Sequence, residues 1–112
     1  SQMIYLGKTA KGTMKIVFDW NRRKAHINRQ KHKVSFEEAS GIFIDPFVFT
    51  SRDEHHSDQE ERLLSVGVSQ SGRLLVVIHT QWYEAPDTTV IRIISSRKAT
   101  EGERKRYDKQ AE

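Results

Sequence analysis

The stretch Asp-Trp-Asn-Arg-Arg-Lys-Ala-His-Ile-Asn-Arg-Gln-Lys-His-Lys, residues 19–33, decides how this 112-residue chain is organised. From Trp20 to Lys33 it holds six Lys or Arg residues, two histidines and no acid. Of the 19 basic residues in the chain, the other 13 are outnumbered by its 15 acidic residues. Because concentrated positive charge attracts a polyanion better than the same charge spread evenly, this stretch is the first candidate for a binding surface. A basic run alone is more often a solvated helix face.

The same stretch predicts a strand that passes into a helix. Residues 14–18 alternate as a strand, and Asp19 suits the N-cap of the helix that follows. At about 100° per residue, the helix presents three residues to the core: Trp20, Ala25 and Ile27. Three more lie at the margin of that face, where they can be aimed at a site: Lys24, Asn28 and His32. The outward charges, which supply general attraction, are Arg22, Arg29 and Lys33.

The amino-acid composition limits the classes of protein to which this chain can belong. A chain of this length folds as one domain with one core, and 30% charged with 36% hydrophobic residues fits a soluble globular protein. The absence of cysteine excludes disulfides and thiolate chemistry. No apolar run approaches the ~20 residues that span a bilayer, and there is no signal-peptide pattern, so a cytoplasmic setting is expected. A sequence pI near 9.5 suits a nucleic acid or an acidic protein as partner.

The remaining segments predict an α+β fold. Residues 1–13 are interpreted as an N-terminal extension, either non-native or an extra strand over residues 3–6 before a turn at Gly7, and residues 14–112 as one domain. Capping boxes at Ser35 and Thr100 open a second and a last helix, the last running through Tyr107. Strands are predicted at 47–52, 62–69, 74–80 and 89–96, with a loop at 81–87. Two N-terminal helices should therefore pack on an antiparallel sheet of about four to five strands, with a C-terminal helix.

Five segments, in this order, resemble the BrnT family of bacterial toxins. They are Phe18-Asp19-Trp20-Asn21 with Lys24, Asn28 and Lys31-His32; Val34-Ser35-Phe36-Glu37-Glu38-Ala39 with Phe43-Ile44-Asp45-Pro46; Glu60-Glu61-Arg62 with Gly67; residues 74–80; and residues 92–99 with Glu103-Arg104 and Tyr107. The resemblance covers residues 14–107. It departs at Asn21, where an acid is common, and at Lys33, where the family usually has the glycine that suits a left-handed helix end. Lysine there predicts strain or a different turn.

The resemblance implies a RelE-like fold and a ribonuclease toxin that stops translation, in a type II toxin–antitoxin system. It implies a cognate ribbon-helix-helix antitoxin called BrnA, and a complex that binds operator DNA chiefly through that antitoxin. No metal and no cofactor are expected. The alternative from the residues alone is a non-catalytic subunit whose basic helix docks an acidic protein or operator DNA.

Metal-independent RNA cleavage needs a base for the ribose 2′-OH, cations for the charge on the phosphoryl oxygens, and an acid for the leaving oxygen. The predicted catalytic residues are Glu61, Arg62, His79, Arg92, Arg97 and Tyr107. The arginines would hold phosphate through their bidentate fork, Glu61 and His79 would transfer protons, and Tyr107 would act as an acid or a stacking platform. The predicted RNA-binding residues are Lys24, His32, Arg22, Arg29 and Lys31, with His32 also a candidate for proton transfer.

Each of these residues also has a plain structural role available. Arg92 can pair with Glu61 or another acid, His79 can be a hydrogen-bonded core residue, and Tyr107 can be a packing residue. In a regular strand Arg92 and Arg97 point to opposite faces, unless the strand breaks near residues 95–96.

The acidic loop at residues 53–61 invites a metal-binding interpretation through its histidines. The candidate ligands are His55 and His56 with Asp53, Glu54 and Asp58, but they are neighbours in a loop and lack finger or helical spacing. A solvated acidic loop is favoured, either facing a basic antitoxin segment or covering the basic helix.

Overall fold

The computed structural model describes residues 2–9, 12–54 and 61–111, with side chains from Met14 onward. Its strands are β1 (Gln2–Thr9), β2 (Gly12–Trp20), β3 (Phe49–Arg52), β4 (Leu63–Val68), β5 (Leu74–Ala85) and β6 (Thr88–Lys98). Its helices are α1 (Arg22–His32), α2 (Phe36–Ser40), which continues as a 3₁₀ turn (Gly41–Ile44), and α3 (Glu101–Ala111). None of these described helices has the length and apolar character needed to cross a membrane.

The strands form one mixed sheet in the order β1-β2-β6-β5-β4-β3. The five strands of residues 12–98 make up most of it, and β1 adds an outer strand that pairs antiparallel with β2. The predicted α+β class and C-terminal helix are confirmed. The prediction of a purely antiparallel sheet is wrong, because β2 and β6 run parallel from Lys15 opposite Thr88 to Trp20 opposite Ile93. The turn predicted at Gly7 is also wrong, since β1 continues through that residue.

Helices cover both faces of the sheet. α1 and α2 pack on one face over a core that includes Phe18, Trp20, Phe36, Val77 and Ile93. α3 packs on the other face, where Tyr107 joins Val66, Leu74 and Val76. Alternation along β5 sends odd-numbered side chains to the first face and even-numbered ones to the second, so the register of the sheet decides which residues share a surface.

The start of α1 differs from the prediction by two residues. Trp20 belongs to β2 and packs edge-on against Phe36, because the pairing with β6 extends that far. Asn21, and not Asp19, is the N-cap, and its side-chain oxygen accepts a hydrogen bond of 3.0 Å from the Lys24 N–H. Ile27 is 49% exposed and so does not belong to the core.

Asn28 is the buried residue through which α1 is attached to the sheet. Its side-chain amide donates to the carbonyls of Ser96 at 2.9 Å and Val34 at 3.0 Å, and its oxygen accepts from the Ser96 N–H at 3.0 Å. The amide therefore pairs with Ser96 as a neighbouring strand would, at a point of β6 that lies beyond the end of β2.

Of the two alternatives predicted at Lys33, strain or a different turn, the structure shows the first, because Lys33 takes the left-handed conformation that suits the family's glycine. Its φ of 61° is unusual for lysine, and its N–H bonds to the Arg29 carbonyl at 3.0 Å. Arg73 donates to the Lys33 carbonyl at 3.0 Å and also forms an ion pair with Glu38. The hydrogen bonds from Arg73 are the main cause that lowers the pKa of Glu38 to about 2, against the effect of burial. This contact ties the α1–α2 connection to the turn between β4 and β5.

Asp45 joins the end of the N-terminal helices to β4 and α3. It accepts hydrogen bonds from the N–H groups of Phe47 at 2.9 Å and Val68 at 2.8 Å, and from the Tyr107 hydroxyl at 2.6 Å. Burial alone would raise the pKa of Asp45, but these three donors outweigh it and lower the pKa. Burial and the neighbouring carboxylate raise the pKa of Tyr107 to about 12.

The segment predicted as a loop at residues 81–87 is mostly strand. β5 continues to Ala85, with Trp82 opposite Val90 and Tyr83 opposite Thr89, and the chain reverses at Pro86 and Asp87. The run of polar and aromatic residues there looks like a loop because both of its faces are solvated.

Replacing Asn28 by alanine should lower the free energy of unfolding by about 2–3 kcal/mol, because it leaves three buried backbone groups without partners. Urea denaturation of this variant checks the value. The exposed Gln30 on the same helix provides the control, and Gln30→Ala should change the free energy by less than about 0.5 kcal/mol. Equal effects in the two variants would contradict this account of how α1 is held.

Tyr107→Phe should lower the free energy of unfolding by about 1–3 kcal/mol, because the Asp45 carboxylate loses a hydroxyl donor. Tyr83 is 77% exposed, so Tyr83→Phe removes the same oxygen atom where it should matter little. Thermal unfolding of both variants measures the difference. A Tyr107→Phe protein as stable as the Tyr83→Phe control would show that the contact contributes nothing.

Candidate functional site

An open cleft lies where β2 ends and β6 continues. Because β2 stops at Trp20 while β6 runs on to Lys98, the edge of β6 is left to α1. The cleft has a volume of about 400 Å³ and is lined by Asp19, Trp20, Asn21, Lys24, Arg92, Ile93 and Ile94. It thus brings together one cation from α1 and one from β6.

The cleft continues along α1 as a shallower depression of about 200 Å³. Lys24 and Ile94 line both parts, and the second part adds Ile27, Asn28, Lys31, His32 and Ser95. We call the whole channel the α1–β6 groove. Three of the predicted RNA-binding residues, Lys24, Lys31 and His32, lie on it, and Arg92 stands at its end.

Arg92 is exposed but held in place by two neighbours. Its Nε donates to Asp19 Oδ2 at 2.9 Å, and its guanidinium carbon lies 5.4 Å from the centre of the Trp82 ring. The acid that pairs with Arg92 is therefore Asp19, which sits opposite it in the parallel β2–β6 pairing. An arginine fixed in this way keeps other N–H donors for a ligand in the groove.

A bulge in β6 changes the predicted direction of Arg97. Ile78 pairs with Ser95 while His79 pairs with Ile93, so Ile94 is an extra residue in the ladder. Arg92 then lies opposite Thr80 and Arg97 opposite Val76. These partners are four residues apart on β5, so both arginines emerge from the α3 side of the sheet. Opposite faces are predicted only for a regular strand, and the bulge at Ile94 is a break of the kind predicted near residues 95–96.

The side chain of Arg97 is nevertheless bound to a residue of α3. Its two Nη atoms donate to the Glu103 carboxylate at 2.8 and 2.9 Å, and Glu103 also accepts from the Thr100 N–H at 2.8 Å in the predicted capping box. The bonds from Arg97 are the main cause that lowers the pKa of Glu103 to about 2. Arg97 therefore holds the start of the helix in this structure.

His79 and Tyr107 lie inside the protein, away from the groove. His79 is fully buried, its Nε2 is 2.7 Å from Ser65 Oγ, and its ring meets Phe43 edge-on at 5.0 Å. Burial lowers the pKa of His79 to about 4, so the ring is neutral at pH 7. Tyr107 is buried on the other side of the sheet with its hydroxyl on Asp45. The structure therefore does not bring these two predicted catalytic residues to the surface that carries Arg92.

Glu61 and Arg62 lie just before β4. Glu61 is exposed, and Arg62 is half-buried with its carbonyl accepting from the Asp53 N–H at 2.8 Å. His55, His56 and Asp58 of the proposed metal-binding or acidic loop lie outside the described residues. Across the described residues, no group of three or more His, Cys, Asp or Glu is placed to hold a metal ion.

The outward side of α1 carries a second row of cations. Arg22, His26, Arg29 and Lys33 recur at helical spacing and are all exposed. Arg22, His26 and Arg29 line a depression of about 400 Å³ against Ser35, Phe36 and Glu37 of α2 and its cap. We call this row the outer stripe. As helical spacing predicts, Lys24, Asn28 and His32 line the groove while Arg22 and Arg29 lie on the other side of α1; that the groove residues form a site stays a prediction.

The sequence predicts neither Asp19 nor Trp82 as a site residue. It favours a helix cap for Asp19 and a loop for Trp82. No local signal distinguishes them, because their positions follow from the pairing of β6 with β2 on one side and β5 on the other.

The chain was compared with known proteins. Comparison with individually curated proteins gave no match. Residues 20–103, three quarters of the chain, match a family described as "Ribonuclease toxin, BrnT, of type II toxin-antitoxin system". The matched range contains α1, α2, the strands from β3 to β6 and all of the groove except Asp19. The chain therefore belongs to the BrnT family of ribonuclease toxins.

Proposed function

We propose that this protein is a metal-independent endoribonuclease with a RelE-like fold that inhibits translation by cleaving RNA bound in the α1–β6 groove. Its family implies an RNA substrate and an antitoxin partner. The observation that supports the groove as the site is the convergence of Lys24 and Arg92 on one open cleft. Lys31 and His32 extend the positive charge along the same channel.

The groove supplies positioning and charge for the cleavage step. Arg92 and Lys24 approach a phosphate from opposite walls, and both stabilise the negative charge that gathers on its oxygens during attack by the ribose 2′-OH. Asp19 is the carboxylate in the cleft, so it is our candidate to accept the 2′-OH proton while it orients Arg92. As the bond from phosphorus to the 5′-oxygen breaks, the leaving oxygen takes a proton from water and ends as a hydroxyl. Lys31 and His32 hold the neighbouring backbone of the strand.

Arg92→Ala and Lys24→Ala should each lower the rate of RNA cleavage roughly 10²-fold, because each removes a donor to the developing charge. Arg104→Ala and Lys105→Ala on the exposed side of α3 remove the same charges elsewhere and should leave cleavage unchanged. The measurement is cleavage of a mixed RNA pool by purified protein, together with growth arrest on expression. EDTA should have no effect, and the products should carry 5′-hydroxyl ends.

Three results would count against the proposal. If a folded Arg92→Ala protein cleaved RNA at the wild-type rate, Arg92 would not belong to the site. If EDTA abolished cleavage, the reaction would depend on a metal ion. Intact RNA at all concentrations of the wild-type protein, with tight binding to an acidic partner, would favour the non-catalytic alternative instead.

The outer stripe supports a separate place for the antitoxin. Its cations have no ion pairs within the described residues, and they lie on the opposite side of α1 from the groove. We propose that an acidic segment of a ribbon-helix-helix antitoxin of the BrnA type lies along this stripe, and that operator DNA is bound through the antitoxin. If the protein is instead a non-catalytic subunit that binds an acidic protein, we expect that partner to contact this same stripe.

The double variant Arg22→Ala/Arg29→Ala should bind the antitoxin at least tenfold more weakly, with a smaller dependence on salt, because it loses two charged contacts. Its cleavage of RNA should be unchanged. Arg23→Ala, on the same helix but lining neither depression, is the matched control. Titration by calorimetry at two salt concentrations measures the effect. Wild-type antitoxin affinity in the double variant, with loss of RNA cleavage, would place RNA and not protein on the stripe.

A further inference from the structure

An exposed indole stands beside the groove on a strand. Trp82 is 39% exposed, whereas Trp20, the other tryptophan of the chain, is 6% exposed. Trp82 lies on the same face of the sheet as Arg92, and the two are in contact. The exposed part of the indole is therefore accessible to a ligand that lies beside Arg92.

The backbone around Trp82 is already ordered. The β5–β6 ladder pairs Trp82 with Val90, and the strand continues to Ala85 before the chain reverses. A ligand that contacts the indole therefore does not have to order a loop first, and this lowers the cost of binding.

Arg92 links the indole to the groove. Its guanidinium lies over the Trp82 ring while its Nε is held by Asp19, which lines the cleft together with Arg92. A phosphate bound by Arg92 thus places the attached nucleotide next to the indole. The guanidinium of Arg92 already lies over this ring, so the indole face is open to a cation and, in the same way, to a planar base.

The surroundings favour a base over an apolar protein side chain. The neighbouring residues Gln81, Tyr83 and Glu84 are exposed, and Tyr83 points to the opposite face of the hairpin by strand alternation. Among the described side chains, the other large exposed apolar residues lie on other elements or on that opposite face. Trp82 is therefore an isolated aromatic beside a cation and does not belong to an apolar patch of the kind that protein partners bind.

We propose that Trp82 is a stacking platform for an unpaired nucleobase of the RNA whose phosphate lies at Arg92. This inference rests on the proposed function and adds to it a recognition element for single-stranded substrate. Trp82 binds the substrate and takes no part in proton transfer. Because every base has a flat face, this contact selects unpaired over paired RNA more than it selects one sequence.

Tryptophan fluorescence tests the proposal directly on the full chain. The probe is a short single-stranded 2′-O-methyl RNA, which has no free 2′-OH and is not cleaved. It should quench the emission of the wild-type protein, and most of the quenching should disappear in Trp82→Phe, where the remaining emitter is Trp20, which lines the cleft but is only 6% exposed. An oligonucleotide of the same length and charge without bases should bind without quenching.

Binding affinities distinguish the contribution of base stacking from that of phosphate charge. Trp82→Ala should bind the base-containing oligonucleotide roughly tenfold or more weakly, because one stacked base is lost. Trp82→Phe should retain most of the affinity, and Tyr83→Ala, on the opposite face, should bind like wild type. The abasic oligonucleotide should bind wild type and Trp82→Ala equally.

The outcomes distinguish this inference from the proposed function. If wild type cleaves RNA and Trp82→Ala binds the base-containing probe as tightly as wild type does, the stacking platform is refuted and the ribonuclease proposal stands. If Trp82→Ala loses antitoxin binding and keeps RNA binding, the indole belongs to a protein interface and the inference fails. If wild type binds no single-stranded RNA, both proposals fail.

Discussion

The parallel pairing of β2 with β6 ends at Trp20 and Ile93, and the candidate site depends on that ending. Had β2 continued, its backbone would have covered the edge of β6 and no cleft would exist. Because it stops, α1 takes its place and lies beside β6 with its cations next to the exposed edge. The same pairing sets Asp19 opposite Arg92 and so positions the arginine that stands at the end of the groove.

Asn28 makes this arrangement possible. An uncovered strand edge has unpaired backbone groups that invite pairing with another chain. The Asn28 amide satisfies both the N–H and the carbonyl of Ser96, so α1 closes the edge with one side chain instead of a strand. The side chains on either side of Asn28 are then free to line the groove, which is how a helix with no acidic residue can serve both as part of the fold and as a cationic surface.

Several polar residues whose side chains could take part in catalysis support the fold instead. Tyr107 and Asp45 hold α3 to the rest of the domain, Arg97 and Glu103 start that helix, and His79 lies in the core against Phe43. Their pKa values are shifted by burial and by their hydrogen-bond partners, which is the behaviour of fixed internal contacts as much as of active sites. The charged residues at the groove are more exposed, and their proposed role rests on their convergence on one cleft.

Much of the local structure could be predicted from the sequence. The helix caps at Ser35 and Thr100 and the two sides of α1 follow from residues close together in the chain, so neighbouring side chains and helical spacing are enough to predict them. Three features could be found only in the folded protein: the parallel β2–β6 pairing, the extra residue Ile94 that turns Arg97 to the face of Arg92, and the position of Trp82. These features depend on the register between strands that are distant in sequence, and a shift of one residue moves every side chain of a strand to the other face.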